Sequence, residues 1–386
     1  MDPLSASGIL AQFLLRFLPV WVALALTFGL SIPFKRRLGL YGKLFDSPVG
    51  MIGFFLVMFW VYTAVFASLI VTHDPLDQIA RLKNAWPGAA VPPGEQGYPW
   101  YIFGGDSLAR DVFSRMVKGA QLVLVIAPAA TAVAYTVGIT LGLPAGYYGG
   151  RADGVLTFLA NLVLAFPVIL LFYLLVTPAI RQTGLPMWFA GFMFLIPIAF
   201  VVVLINSRFH TQPPKRNLYA GIALVIGLWL YAGAAFDADP LGIVSLDANK
   251  LNIFVAVVFV NSPTVFRIVR GLTLDIKSRD YVAAAQTRGE GPWYIMMWEI
   301  LPNARGPLIV DFCLRIGYTT ILLGTLGFFG LGFSPESPDW GSTINAGRKL
   351  LSIYPYPAFV PALALMSMVL GLNLLADGLR EESLRD

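Results

Sequence analysis

Asp311 and Arg315 stand four residues apart in an otherwise apolar run, residues 306–332, so both fall on one helix face. A carboxylate and a guanidinium held in lipid could relay protons or couple an ion, because intramembrane charges carry function by default. Structural pairing, or snorkelling of Arg315 to the interface, is the alternative, and the lack of a third titratable group nearby in sequence favours it. Other reactive groups are few. His73 and His210, the only histidines, lie far apart, which argues against a multi-histidine metal centre. The single cysteine, Cys313, sits in the same apolar run and offers neither an intrachain disulfide nor a thiolate metal site. No Gly-x-x-x-x-Gly-Lys-Ser/Thr phosphate loop and no His-Glu-x-x-His motif occurs. Nothing points to a Ser-His-Asp triad either. The chain therefore reads as non-catalytic, with no cofactor of its own.

These groups belong to a chain of 386 residues that is 57% hydrophobic and only 13% charged, too apolar for a soluble globule of its size. The expected fold class is an all-α integral membrane protein. Its formal charge of +5 comes from 27 basic and 22 acidic residues, and in such a protein placement says more than the sum. Nucleic-acid binding is not implied.

Apolar runs of about 20 residues mark bilayer crossings. Nine are expected: residues 9–34, 49–71, 120–143, 156–176, 186–206, 218–236, 251–266, 306–332 and 357–376. Lys35, Arg36, Arg37 and Lys43 follow the first run, the reverse of a secretory signal's charge order. The positive-inside rule makes that cluster cytoplasmic, which puts Met1 outside and the carboxyl terminus inside. Residues 72–119 then form a long outer loop ending in an amphipathic surface helix over 112–120. Ala145 to Arg151 supplies the glycines of a tight cytoplasmic turn, and Phe166-Pro167 should kink the fourth span. Arg208, His210, Lys215 and Arg216 join the fifth and sixth spans inside, leaving Asp237, Asp239 and Asp247 outside.

Between the runs at 251–266 and 306–332 lies DYVAAAQTRGEGPWYIMMWEILPN, residues 280–303. It reads as two short helices, the first capped by Asp280 and the second running from Trp293 to Leu301, broken at Gly289-Glu290-Gly291-Pro292. Ala283, Ala284 and Ala285 leave a shallow face, flanked by Tyr281, Gly289, Trp293, Leu301 and Pro302. Such a segment suits a helix that docks into a groove on a partner outside the membrane; an ordinary connecting loop is the even alternative.

The run resembles the cytoplasmic coupling loop of ABC importer permeases, Glu-Ala-Ala, three residues, Gly, nine residues, Ile, any residue, Leu-Pro. Ala284, Ala285, Gly289 and Leu301-Pro302 match in register, whereas Ala283 stands for the Glu and Glu299 where Ile is frequent. Three further segments are similar to the dipeptide, oligopeptide and nickel branch, in its second-permease form. Gly104-Gly105-Asp106-Ser107-Leu108-Ala109-Arg110-Asp111 resembles the segment that opens its external region, where a structural role is favoured over substrate contact. Leu331-Gly332-Phe333 with Pro335, Pro338, Trp340 and Gly341 resembles its external scoop loop, and Asp377-Gly378-Leu379-Arg380 the end of its last helix.

The resemblance implies an ABC type I importer fold. Its six-helix core would comprise residues 35–177 and 251–386, with a coupling loop at 267–306 and the scoop loop at 333–356. The helix within residues 1–34 and a hairpin within 178–250 would be additions. Implied partners are a homologous permease, two cytoplasmic ATPases that bind ATP and Mg, an external substrate-binding protein and membrane lipid, all at a bacterial cytoplasmic (inner) membrane. The cargo would be peptides, nickel complexes, opines or similar solutes. Two rivals need no such family: an ion-coupled secondary transporter using Asp311 and Arg315, and a non-transporting scaffold.

Overall fold

The computed structural model describes every residue except Met1, Gln96, Asp237, Pro240, residues 243–247, Gly332, Pro335 and residues 384–386. The sequence readings placed on Asp237, Asp247, Gly332 and Pro335 lie outside the described residues.

Helices dominate, as expected from the composition. In chain order the principal ones are α1 (Ala6–Arg16), α2 (Leu18–Phe34), α3 (Pro48–Val65), α4 (Val112–Tyr148), α5 (Gly150–Ala165), α6 (Val168–Val176), α7 (Leu185–Arg208), α8 (Pro213–Phe236), α9 (Ala248–Ile276), α10 (Asp280–Thr287), α11 (Arg305–Phe328), α12 (Trp340–Arg348) and α13 (Tyr356–Ser383). Eight helices among the described residues are long and apolar enough to cross a membrane, and α5 with α6 makes a ninth if that bent pair is one span.

Several expected boundaries move, each for a local reason. The first run is two helices rather than one: the chain breaks at Phe17, because Pro19 in the first turn of α2 would clash with the preceding turn of a continuous helix. The surface helix expected over 112–120 is the start of α4 instead. Its residues Val112, Phe113, Met116, Val117 and Ala120 are all buried, and so is Arg115, so no solvated face exists there. Pro167 produces a break of 87° rather than a kink, with Phe166 extended ahead of it, as a residue before proline prefers. The run at 251–266 extends as α9 through Arg267 and Arg270 to Ile276, since charge does not end a helix and the helix tolerates Pro263 and Gly271 within it. At α10 the cap position is Arg279, and Asp280 is the first helical residue rather than the cap.

The described chain divides into two compact units, Met1–Pro128 with Cys313–Asp386, and Ala129–Phe312. In the first, α13 lies against α3 at glycine contacts, Gly378 meeting Gly50 and Gly371 meeting Leu56. Trp60 Nε1 donates to Ser367 Oγ at 2.9 Å between the same two helices. A short antiparallel pair, β1 (Ala89–Ala90) and β2 (Trp100–Tyr101), holds the loop between α3 and α4. In the second unit, α9 is the central element, with α4, α5, α6 and α7 around it. One end of that unit collects three connections: the Gly149-Gly150 turn, the α7–α8 joint and residues 277–304.

Candidate functional site

Residues 280–303 form a folded platform rather than a slack connection. In α10, Val282 and Ala285 are fully buried three residues apart, whereas Ala283 and Ala284 are exposed. The helix ends because Gly289 takes φ +80°, a conformation glycine adopts without strain. Its N–H donates to Gln286 O at 3.0 Å and that of Glu290 to Ala285 O at 3.2 Å, the pair of bonds that closes a Schellman motif. Pro292 then starts a new helical turn, which widens into a π-helix over Ile295–Ile300. The extra residue per turn lets Ile295, Met296, Met297 and Ile300 all enter one core with Val282, Ala285, Val265, Val269 and Leu308.

Anchoring these residues leaves a specific set outside. Tyr281 and Trp293 are each 39% exposed, and Ala283, Ala284, Gly289 and Pro302 are exposed as well. Leu301 is half-buried and Ala285 faces the core, so neither belongs fully to that outer set. Nothing in the described chain comes within 4 Å of where a Cβ on Gly289 would sit.

The platform hangs on α9, and α9 on α4. Gly138, Gly142 and Gly146 line α4 at every fourth position, and a Cβ added to each would press on Val265, Val269 and Thr273 of α9. Small residues at this spacing let two membrane helices approach backbone to backbone. The four-residue glycine spacing is visible in the sequence, although the site residues named there do not include it. At the end of the same contact Lys277 Nζ donates to Gly146 O at 2.8 Å, Gln286 Nε2 to Tyr147 Oη at 3.3 Å, and Arg270 Nη2 to Asp153 Oδ2 at 2.7 Å.

The other candidate residues are elsewhere. Asp311 and Arg315, both half-buried, are one turn apart on α11. Tyr135 Oη, remote in sequence, donates to Asp311 Oδ2 and lies 3.2 Å from Leu308 O, so a third titratable group does stand beside the carboxylate.

In the first unit Trp340 is buried, its Nε1 donating to Met116 O at 2.9 Å and its ring edge-on to Trp60; Gly341 is buried and Pro338 half-buried. Beside it Arg115, absent from the sequence reading, is enclosed and donates to Ser337 O at 2.7 Å and Thr343 Oγ1 at 3.1 Å. The Gly104 to Asp111 segment is likewise internal: Arg110 Nη2 meets Asp106 Oδ2 at 2.7 Å, and Thr72 Oγ1 donates to Asp111 Oδ2 at 2.6 Å. Burial, with the Asp111 and Asp106 charges, pushes the Tyr101 hydroxyl above its ordinary range. Among the described residues no cluster of three or more His, Cys, Asp or Glu could hold a metal ion.

The described chain is thus a multi-span helical membrane protein whose second unit carries a folded, partly exposed platform at one end. Residues 138–381 match the family described as the binding-protein-dependent transport system inner membrane component, and the chain belongs to that family, in the dipeptide, oligopeptide and nickel branch of ABC-type permeases. It is 32% identical over 278 residues to the glutathione transport system permease protein GsiD of Pectobacterium atrosepticum, covering 72% of this chain and 70% of that one. With the probable D,D-dipeptide transport system permease protein DdpC of Escherichia coli it shares 27% identity over 87% of both chains. With the di/tripeptide transport system permease protein DppC of Pseudomonas aeruginosa it shares 26% over 91% of this chain and 93% of the relative. The protein is a multi-pass inner-membrane permease component of an ABC-type importer, and a non-catalytic one.

Proposed function

We propose that this subunit carries peptides, or peptide-like or nickel-chelate solutes, and that residues 280–303 are the joint through which a cytoplasmic ATPase drives it. The observation behind this reading is the division of labour in that segment. Val282, Ala285 and the π-helical residues fasten it to α9, while Tyr281, Ala283, Ala284, Gly289, Trp293 and Pro302 remain uncovered. A push on that surface reaches α9 through packed side chains, and α4 follows through its glycine contacts. ATP and Mg belong to the ATPase pair. The relatives are named for glutathione, D,D-dipeptides and di/tripeptides, and the nickel chelates come from the family branch.

In the same reading a homologous permease completes the membrane part, an external binding protein delivers the solute, the amino terminus is outside and the carboxyl terminus inside. The skew of Lys and Arg toward the 35–43, 208–216 and 267–288 connections supports that orientation. Residues 333–356 would be the external scoop, braced by Trp340. The Tyr135 hydroxyl supplies the third titratable group whose lack in sequence weighed against a relay, and the structural role given to Asp311 and Arg315 rests instead on that bond tying α4 to α11.

The test is co-purification of the tagged chain in mild detergent, followed by reconstitution with the recovered partners and a peptide. An ATPase and a second permease should copurify, and solute with its binding protein should stimulate hydrolysis. Gly289→Asn keeps the left-handed turn yet places a side chain on the open surface. It should reduce stimulated transport severalfold. Unaltered coupling in Gly289→Asn would remove the role assigned to the loop.

A further inference from the structure

The helices α7 and α8 form a hairpin joined at residues 209–212, and the end of α7 touches the platform directly. Trp298, within the π-helical turn, points its Nε1 at Ser207 Oγ, 3.1 Å away. Ser207 is 7% exposed, and its hydroxyl proton goes to Leu204 O at 2.9 Å, so its lone pair is free to accept from the indole. On the next residue, the Arg208 guanidinium carbon stands 4.8 Å from the centroid of the Trp298 ring, a cation–π distance. His210 closes the group: its ring is edge-on to Tyr294 at 6.1 Å, and its Nδ1 lies 3.1 Å from Ser207 O. Phe200, Val203 and Leu204, one to two turns back along α7, pack on the same core that holds Val282 and Ala285.

A hairpin that only enlarged the surface facing lipid would need none of these contacts. The Ser207, Arg208 and His210 contacts fall at one helix end or just beyond it, use polar, cationic and aromatic groups together, and reach the half of the platform that follows Gly289. We infer that α7 is a strut for this platform, with Ser207 as its positioning residue: the bond to Trp298 holds the π-helical half against the hairpin, so that loop and hairpin move as one piece when the platform is pushed. This rests on the coupling role proposed above and assigns the hairpin a part in it. The expected consequence is tighter coupling, since force arriving at Tyr281 or Trp293 cannot be lost in bending the loop alone.

Two conservative substitutions remove the bond, each at the cost of one neighbouring contact: the Arg208 face of the indole in one case and the Ser207 bond to Leu204 O in the other. Trp298→Phe deletes the donor and keeps an aromatic ring, and Ser207→Ala deletes the acceptor. Hydrogen–deuterium exchange on the purified chain reads the strut without any partner. Amides within residues 292–301 should exchange about threefold faster or more in either variant, and the double variant should lose clearly less protection than the sum of the single ones, because the two share one bond. Unchanged protection, or additive effects in the double variant, overturns the strut.

Solute moved per ATP in the reconstituted complex then separates the two ideas. If Ser207→Ala and Gly289→Asn both lower the ratio, the strut transmits coupling. If Gly289→Asn lowers it and Ser207→Ala does not, despite loosened exchange, the coupling joint stands and the strut's role in it fails. If neither lowers it, the coupling reading itself is lost, and with it the strut's function.

Discussion

Arg288 Nη2 lies 2.9 Å from Glu299 Oε1, tying the two arms of the 280–303 platform together across the Gly289 turn. In sequence Glu299 looked like a departure from a position where the family often has Ile, and the structure gives the departure a partner. The Arg288 side chain is 55% exposed and that of Glu299 23%, so water and salt screen the pair. Glu299→Ile should therefore lower stability by no more than about 1 kcal/mol. Thermal unfolding in detergent at low and high salt checks this, and a loss well above that value would mean that the bridge is shielded from solvent.

Gly289 permits a sharper separation. Its φ of +80° costs a β-branched residue about 1–2 kcal/mol, whereas Asn enters the same region with little strain. Nothing among the described residues crowds the position, so volume alone is tolerated. Gly289→Val should thus melt earlier than Gly289→Asn, by several degrees. Equal melting of the two variants would show that the turn relaxes out of the left-handed conformation.

The contact between α4 and α9 is set by glycine. A Cβ on Gly142 would come within 2.9 Å of Val269 Cβ and 3.0 Å of Phe266 O, too close for either to yield without moving α9. Gly142→Leu is expected to destabilise the second unit by roughly 3 kcal/mol or more, the upper range for overpacking. Gly154→Leu, whose Cβ would meet open space, should be nearly neutral. Detergent-resistant monodispersity and melting temperature of the two variants decide the matter.

Membrane class, helix count and the platform were legible because each is written locally. Long apolar runs need only length, and the break at residues 289–292 is a Gly-Glu-Gly-Pro signal. Gly138, Gly142 and Gly146 were also visible as a repeat of four, but their meaning depends on Val265 and Thr273, more than a hundred residues away. Arg115 defeated the reading for a related reason. A lone cation on an apolar helix looks like a solvated face, and only the carbonyl groups of residues 336 and 337, distant in sequence, make it internal. The Tyr135 hydroxyl on Asp311 and the Ser207 hydroxyl at Trp298 are likewise products of packing, which no spacing rule along one chain announces.

Arg115 itself yields a test. Its side chain has no solvent exposure, and its guanidinium reaches Ser337 O, Glu336 O, Thr343 Oγ1 and Pro75 O, four acceptors in three separate stretches. A lysine ammonium has three donors on a single nitrogen and no planar fork to spread them over acceptors in different directions. Arg115→Lys should leave some of these carbonyls unsatisfied and cost about 2–4 kcal/mol. Limited proteolysis should then cut within residues 333–339 faster than in the parent chain. Equal resistance would mean that Trp340 and its bond to Met116 O suffice to hold that segment.

Asp339 provides the pH dependence. It caps α12, with Oδ1 accepting from the Ser342 N–H at 2.8 Å, yet burial raises its carboxyl above the ordinary range, only partly opposed by that bond and the Arg115 charge. The folded protein thus binds this proton more tightly than the unfolded chain. Its contribution is fully present below the unfolded value, near 4, and is lost as pH rises through the higher folded value. Asp339→Asn keeps a capping oxygen but cannot ionise. Melting temperatures from pH 4 upward should fall less steeply in the variant, and the two curves should converge at the acid end. Parallel curves would mean that Asp339 titrates at its unfolded value, and that Arg115 and the Ser342 N–H fully offset the burial of its charge.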